Sequence, residues 1–301
     1  MIRHFADFES RILDEGKHNI VAVPCPYDME ILKALHKAEH VGICRSLLIG
    51  DEHLILEHVK ASCIDECEFA IADVKDDSAA IDESFKMLVS GEVHVVAKGI
   101  VHTDTFMHGL LKYKKELLSS PLATHVAAFD IARRGLLFVS DPSILIDPTL
   151  RQKKIVIENV VSLLDNLGMT TPRIAIISSV ETPTDRIPSS LDAEMLAGEF
   201  NRAKLAAFVD GPLAVDNAFS MDARRKKHIG GNVAGQADVL VVPSLDAGNI
   251  LCKGLTYIGG LPSAGILAGT VKPVVLTSRS ASAGERYNSL LLALATLLNG
   301  E

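Results

Sequence analysis

Val271-Lys-Pro-Val-Val-Leu-Thr-Ser-Arg-Ser280 reads as a buried strand that ends in a hydroxyl, a guanidinium and a second hydroxyl. Upstream, residues 234–253 (Ala-Gly-Gln-Ala-Asp-Val-Leu-Val-Val-Pro-Ser-Leu-Asp-Ala-Gly-Asn-Ile-Leu-Cys-Lys) form a second apolar run that opens into a turn holding Asp246, Gly248 and Asn249. Both runs end in polar groups, and in α/β proteins ligands collect at the carboxyl ends of parallel strands. Ser278 and Arg279 are placed at the centre of the predicted site.

Outward from this stretch the chain alternates helix and strand. Helical periodicity over residues 4–15 gives way to the β-branched run Ile20–Pro24, and Asp28 stands where its carboxylate can cap a helix running through Lys37. Residues 46–50, 69–73 and 94–99 read as further strands, with helices over 51–60 and 78–89 between them. Continuous apolar strands between amphipathic helices predict a mainly parallel sheet covered on both faces. The pattern breaks at residues 125–130 and 135–140, two strand candidates separated only by Ile-Ala-Arg-Arg, a spacing that predicts an antiparallel hairpin. This hairpin, with the chain's return at 271–279, sets the predicted domain borders: 1–138 plus 272–301 as one α/β domain and 139–271 as the other. Within the latter, Leu150–Leu167 is a long helix stopped by Gly168, where a left-handed cap is expected. Alternation then resumes with strands at 173–178, 207–209, 239–243, 264–268 and 274–277. Helices are predicted at 191–205, 216–227, 246–257 and 283–298.

A chain of 301 residues with 48% hydrophobic content exceeds the size at which one core usually stops growing, which favours two domains. A net charge of −8 argues against nucleic acid as a partner. The dense basic run Arg224-Arg-Lys-Lys-His228 reads either as a solvated helix end or as an anion contact. The amino terminus is too polar for a signal peptide, and no apolar run approaches the ~18 residues of a spanning helix, so a cytoplasmic protein with no membrane partner is expected. The cysteines at 25, 44, 63, 67 and 252 are scattered, and Cys63 and Cys67 lack the paired spacing of a zinc site. Unpaired thiols and no metal are expected.

The signatures G-x-G-x-x-G after a strand, G-x-x-x-x-G-K-[ST], H-E-x-x-H and G-x-S-x-G are absent, so nicotinamide, P-loop and zinc-hydrolase readings lack their usual support. Four polar strand ends remain as candidates to line a cleft. They are Lys98-Gly99 followed by Thr103 and Thr105, Asp210 through Asp216 and Asn217, Ser244 through Asn249, and Thr277 through Ser280. Each has a structural rival: Asp210, Asp216 and Ser278 as helix caps, Gly248 and Asn249 as turn residues, Arg279 as an ion-pair partner. Lys98 is the least ambiguous, because a lysine closing an apolar strand is costly unless it meets an anion or a carboxylate.

Three of these stretches, Val209-Asp-Gly-Pro-Leu-Ala-Val-Asp-Asn-Ala218, Ala234–Pro243 with Asp246, Gly248, Asn249 and Lys253, and Pro273–Arg279, occur in the order seen in phosphate acyltransferases. From about Lys98 to the carboxyl end the chain resembles that family of phosphate acetyltransferases and phosphate butyryltransferases. Lys98-Gly99, the threonines at 103 and 105, and Ser140-Asp-Pro-Ser-Ile-Leu-Ile-Asp-Pro before the long helix resemble the butyryl branch more than the acetyl branch. Acetyl-specific relatives carry an arginine in the helix after the Lys-Gly strand, where this chain has Met107-His108.

The resemblance implies a two-domain αβα sandwich with mainly parallel sheets and an interdomain cleft, as in isocitrate and isopropylmalate dehydrogenases, and a homodimer or higher homo-oligomer. It implies reversible transfer of a short acyl group, butyryl, branched-chain or acetyl, between coenzyme A and inorganic phosphate, both of them substrates, with no cofactor. The catalytic Ser-Arg pair falls on Ser278 and Arg279, with Glu285 as the nearest match to a following acidic residue. Lys98, Gly99, Thr103, Thr105, Asp210, Asp216, Asp246, Gly248, Asn249 and Lys253 are the implied substrate-binding set. The chemistry asks for such groups on its own terms. A guanidinium holds a phosphate through paired charge-assisted hydrogen bonds, donors stabilise the oxyanion built by attack on an acyl carbonyl, and a base assists the thiol. Glu285, Asp246 or a histidine can fill the last role. A coenzyme A-binding regulatory relative and a decarboxylating dehydrogenase of the same fold stand as alternatives.

Overall fold

The computed structural model describes residues 3–17, 19–65, 69–203 and 205–298. Cys67 of the Cys63/Cys67 pair lies outside them; Cys25 and Cys44 are buried thiols. The chain divides into two compact units, one of His4–Ser119 with the segment from Pro262 onward, the other of Ser120–Leu261 together with Arg3.

The first unit runs through α1 (Phe5–Glu15), β1 (Asn19–Pro24), α2 (Met29–Val41), β2 (Cys44–Gly50), α3 (Glu52–Ala61), β3 (Ala70–Asp73), α4 (Asp77–Ser90), β4 (Val95–Ala97), α5 (Thr103–Lys112) and α6 (Lys114–Leu117). Aspartates start α2 and α4: Asp28 accepts from the amides of Glu30 at 3.0 Å and Ile31 at 3.1 Å, and Asp76 from Ala79 at 2.8 Å, so first-turn amides that have no helical partner are satisfied. Gly42 and Gly91 end α2 and α4 at φ of 86° and 85°, a left-handed conformation that glycine adopts without a Cβ penalty.

The second unit contains β5 (Thr124–Ile131), β6 (Gly135–Ser140), α7 (Leu150–Asn166), β7 (Arg173–Ile177), α8 (Pro188–Ala203), β8 (Phe208–Leu213), α9 (Val215–Phe219), α10 (Met221–Lys226), β9 (Val239–Val241) and α11 (Leu245–Lys253). Its strands are ordered β5-β6-β9-β7-β8, antiparallel in the β5/β6 hairpin and parallel elsewhere. Phe129, Val139, Ala175, Leu240 and Val233 pack in its core. The chain then returns to the first unit with β10 (Ser263–Ala268), β11 (Val274–Val275) and α12 (Ala283–Ala295). That unit's strands follow the order β3-β2-β1-β4-β11-β10, parallel except for β10 against β11.

The units divide at 119/120 and 261/262, whereas the sequence reading set borders at 138/139 and 271/272. The hairpin stays with the second unit because β6, besides pairing with β5, pairs with β9 through Phe138, Val139 and Ser140. β10 stays with the first because Ile266 pairs with Val275 of β11, and the Ser289 hydroxyl of α12 accepts from the Gly265 amide at 2.9 Å. The helix expected over 216–227 is interrupted at Ser220, whose hydroxyl caps α10 by accepting from Ala223 at 3.2 Å. The helix expected over 246–257 ends as α11 at Lys253 and continues as a π-helical turn over Gly254–Ile258. No described helix is long and apolar enough to cross a membrane.

Candidate active site

The opening stretch contributes only two residues to the sheet, and their register makes the site. Val274 lies opposite Val96 and Val275 opposite Ala97, and the Lys98 amide donates to the Val275 carbonyl at 3.1 Å. Because β4 and β11 are parallel, Lys98-Gly99 and Leu276-Thr277-Ser278 leave the same sheet edge side by side. Gly99 threads this exit where a Cβ would overlap the carbonyl oxygens of Pro24 and Cys25, and the Ile100 amide donates to Cys25 at 2.9 Å. Lys98 is 3% exposed, and its ammonium donates to the carbonyls of Val101 at 3.0 Å and Gly99 at 3.3 Å. Burial, reinforced by the charges of Arg286 and Arg279, pulls this ammonium down to about 8.

Arg286, which the sequence reading passed over, organises the turn that follows. From the first turn of α12 its guanidinium donates to Thr277 Oγ1 at 3.1 Å and to the carbonyls of Ser278 at 3.3 Å, Arg279 at 3.4 Å and Ala281 at 3.3 Å. It is buried, with Asp28 Oδ1 3.9 Å from Nη2. The cradle holds Ser278, Arg279 and Ser280 out as an exposed turn, with the hydroxyls of Ser278 and Ser280 3.0 Å apart. Ser282 caps α12 through the Glu285 amide at 3.2 Å, and the Ala283 amide donates to Glu30 Oε2 at 2.8 Å, pinning the helix start to α2. Glu285 is half-buried, and its charge acts on Arg286. A cavity of about 20 Å³, bounded by Lys98, Thr277, Arg286, Ala97 and Leu35, has room for about one water by usual size criteria. Thr103 and Thr105 stand in the first turn of α5, downstream of Lys98-Gly99.

Six candidates lie in the second unit. Asp210, inside β8, accepts from the amides of Asn232 and Val233, each at 3.1 Å, and so ties down the 231–233 loop. Asp216 pairs with Lys227 at 2.9 Å, a contact that holds its carboxyl below the usual range. Lys227 also bonds Glu181 at 2.6 Å, and Glu181 accepts in turn from buried Asn217. Neither Glu181 nor this network was read from the sequence. Lys227 and Lys226, which pairs with Asp222 at 2.7 Å, show the basic run to be engaged with acidic neighbours at the end of α10. On α11, Asp246, Asn249 and Lys253 follow the three- and four-residue steps that share one helix face. Gly248 faces the other way: a Cβ there would come within 2.7 Å of Val242 Cγ2 and 2.8 Å of Pro142 Cα, so its packing alone requires glycine. Among the described residues no group of three or more histidine, cysteine or acidic side chains stands close enough to hold a metal ion.

Around Ser278, then, a buried lysine and two arginines meet at the carboxyl edge of parallel strands, the arrangement of an α/β enzyme that handles an anion. Residues 79–294 match the family described as Phosphate acetyl/butaryl transferase, and the chain belongs to that family of acyltransferases. It is 36% identical over 295 residues to a phosphate butyryltransferase of Clostridium beijerinckii, covering 97% of each chain. It is 34% identical over 294 residues to a phosphate acetyltransferase of Rickettsia felis, covering 97% of this chain and 84% of the other. The crystal structure of a branched-chain phosphotransacylase from Enterococcus faecalis superposes with a TM-score of 0.83 at 29% identity, covering 93% of this chain and 99% of that one.

Proposed function

We propose that the protein transfers a short acyl group, butyryl or branched-chain in preference to acetyl, reversibly between coenzyme A and inorganic phosphate. The observation that carries this reading is the in-register pairing of β4 with β11, which sets Lys98 beside the Ser278-Arg279 turn with Arg286 beneath it. In the phosphate-accepting direction, Arg279 and Lys98 hold the anion while one of its oxygens attacks the thioester carbonyl. The Ser278 hydroxyl and Arg279 stabilise the oxyanion, whose collapse expels the coenzyme A thiolate. In reverse, Glu285 takes the thiol proton and the thiolate attacks the acyl phosphate, with phosphate leaving; no covalent enzyme intermediate forms.

Substrate contacts by Gly99, Thr103, Thr105, Asp210, Asp216, Asp246, Gly248, Asn249 and Lys253 belong to the same reading. So do an architecture of the isocitrate dehydrogenase kind, a homodimer and a cytoplasmic setting. Phosphate-dependent thiol release from butyryl-, isobutyryl- and acetyl-CoA tests the proposal. Turnover with the longer or branched thioesters supports it, and coenzyme A binding without any thiol release points to the regulatory alternative.

A further inference from the structure

In the second unit the parallel strands β6, β7, β8 and β9 also share an amino edge, opposite to the one that leads into Asp216 and Asp246. There a cavity of about 590 Å³ opens among their first residues and the loop after α7. This is the size of a small-molecule site, typically ~300–1,000 Å³. Arg3, Arg134 and Arg173 line it against one carboxylate, Asp238, which leaves an excess of two positive charges among the described lining residues.

The guanidinium of Arg134 donates to the carbonyls of Phe219 at 2.7 Å and Ala237 at 2.8 Å and lies 3.7 Å over the Phe219 ring. These partners are uncharged, and they hold the group in place with further N–H donors to spare. Asp238 accepts from the Arg173 backbone amide at 2.9 Å, while the Arg173 guanidinium stays 3.8 Å away, a loose pairing that leaves its planar fork available. Met169 and Phe208 supply apolar surface, and Phe208 is 41% exposed at the start of β8. Cations beside an aromatic wall suit a ligand with a doubly charged head and a flat apolar body.

We propose that this cavity binds a small organic phosphate monoester, its phosphate on Arg173 and Arg134 and its apolar body against Met169 and Phe208. It shares no residue with the Lys98–Arg279 site.

Isothermal titration of the full chain with phenyl phosphate tests this. In Arg279→Lys, which weakens the competing Lys98–Arg279 site, one saturable site per chain is expected, and adding Arg173→Gln weakens it about tenfold or more, the loss of a charge-assisted pair. Thr170→Trp, which narrows the cavity from its exposed rim, should abolish binding, and it serves should Arg173→Gln melt early. Benzyl alcohol, a ring without the charge, should bind far more weakly. The proposal is overturned by absence of a saturable site, by equal binding of benzyl alcohol, or by binding that survives both cavity variants and disappears in Arg279→Lys.

Discussion

Arg279 and Lys98 carry the same formal charge in opposite settings, one exposed on a turn and one 3% exposed at a strand end. For Arg279 the geometry of the fork matters. Arg279→Lys keeps the charge and loses the bidentate donor, so it should remain folded with an unchanged melting temperature and lose about 100-fold or more in kcat, the usual cost of a preorganised donor. Ser278→Ala removes one neutral donor and should cost less. Near-normal turnover of Arg279→Lys in the thiol-release assay would sink the clamp. For Lys98 the decisive quantity is burial. Its folded value of about 8 lies below the unfolded value near 10.5, so below pH 8 both states are charged and the native state bears the full cost of burial and of repulsion from Arg286 and Arg279. That cost is on the order of 3 kcal/mol and is relieved as pH rises from about 8 toward 10.5. Lys98→Met should therefore melt higher than the parent at pH 7 in phosphate-free buffer, by a margin that shrinks at pH 10, and be inactive. Calorimetry at the two pH values, together with activity, checks this; a lower melting temperature at pH 7 would show that the hydrogen bonds to Val101 and Gly99 outweigh the burial.

At the scale of elements, α12 both packs and positions. Arg286 sits on the helix face whose next members, Leu290 and Leu294, are buried, and its guanidinium spans the carbonyls of the Ser278–Ala281 turn. Arg286→Met keeps the apolar stem and removes the donors that order the turn. It should lower kcat by about 10-fold or more while KM for acyl-CoA changes little, as expected when reacting groups are misplaced and remote binding persists. Arg286→Lys should recover only part of the loss, since one ammonium cannot reach all four acceptors. A variant with the parent's kcat would reduce Arg286 to a packing residue. On α11 the prediction is structural: Gly248→Ala forces a methyl against Val242 and Pro142, and overpacking of this kind should destabilise by roughly 1–3 kcal/mol, read as an earlier urea midpoint. Arg286 was legible in principle, as an arginine within an otherwise apolar helical stripe. The coupling of Glu181 to Lys227 and Asn217 was not, because nothing in residues 181, 217 and 227 marks them as neighbours.

For the whole molecule the prediction concerns acyl length. One methylene in an apolar pocket is worth roughly 1–3 kcal/mol, so two should separate butyryl-CoA from acetyl-CoA by tens of fold or more in kcat/KM. Equal or reversed preference across the thioester panel would count against the butyryl reading. The amino-acid sequence determined the α/β class, the hairpin at 125–140, the Asp28-capped helix and the strand-end residues Lys98, Ser278 and Arg279, because period, capping and apolar run length are local properties of the chain. Tertiary structure decided the division at 119/120 and 261/262, which depends on strand pairs far apart in sequence: β6 with β9 and β10 with β11. It also decided that a strand expected over four residues pairs through two, and that those two, lying parallel to β4, bring Lys98 and the Ser278-Arg279 turn to one edge. Register between segments nearly two hundred residues apart is set by which apolar faces fit together in the fold, and no local pattern encodes it.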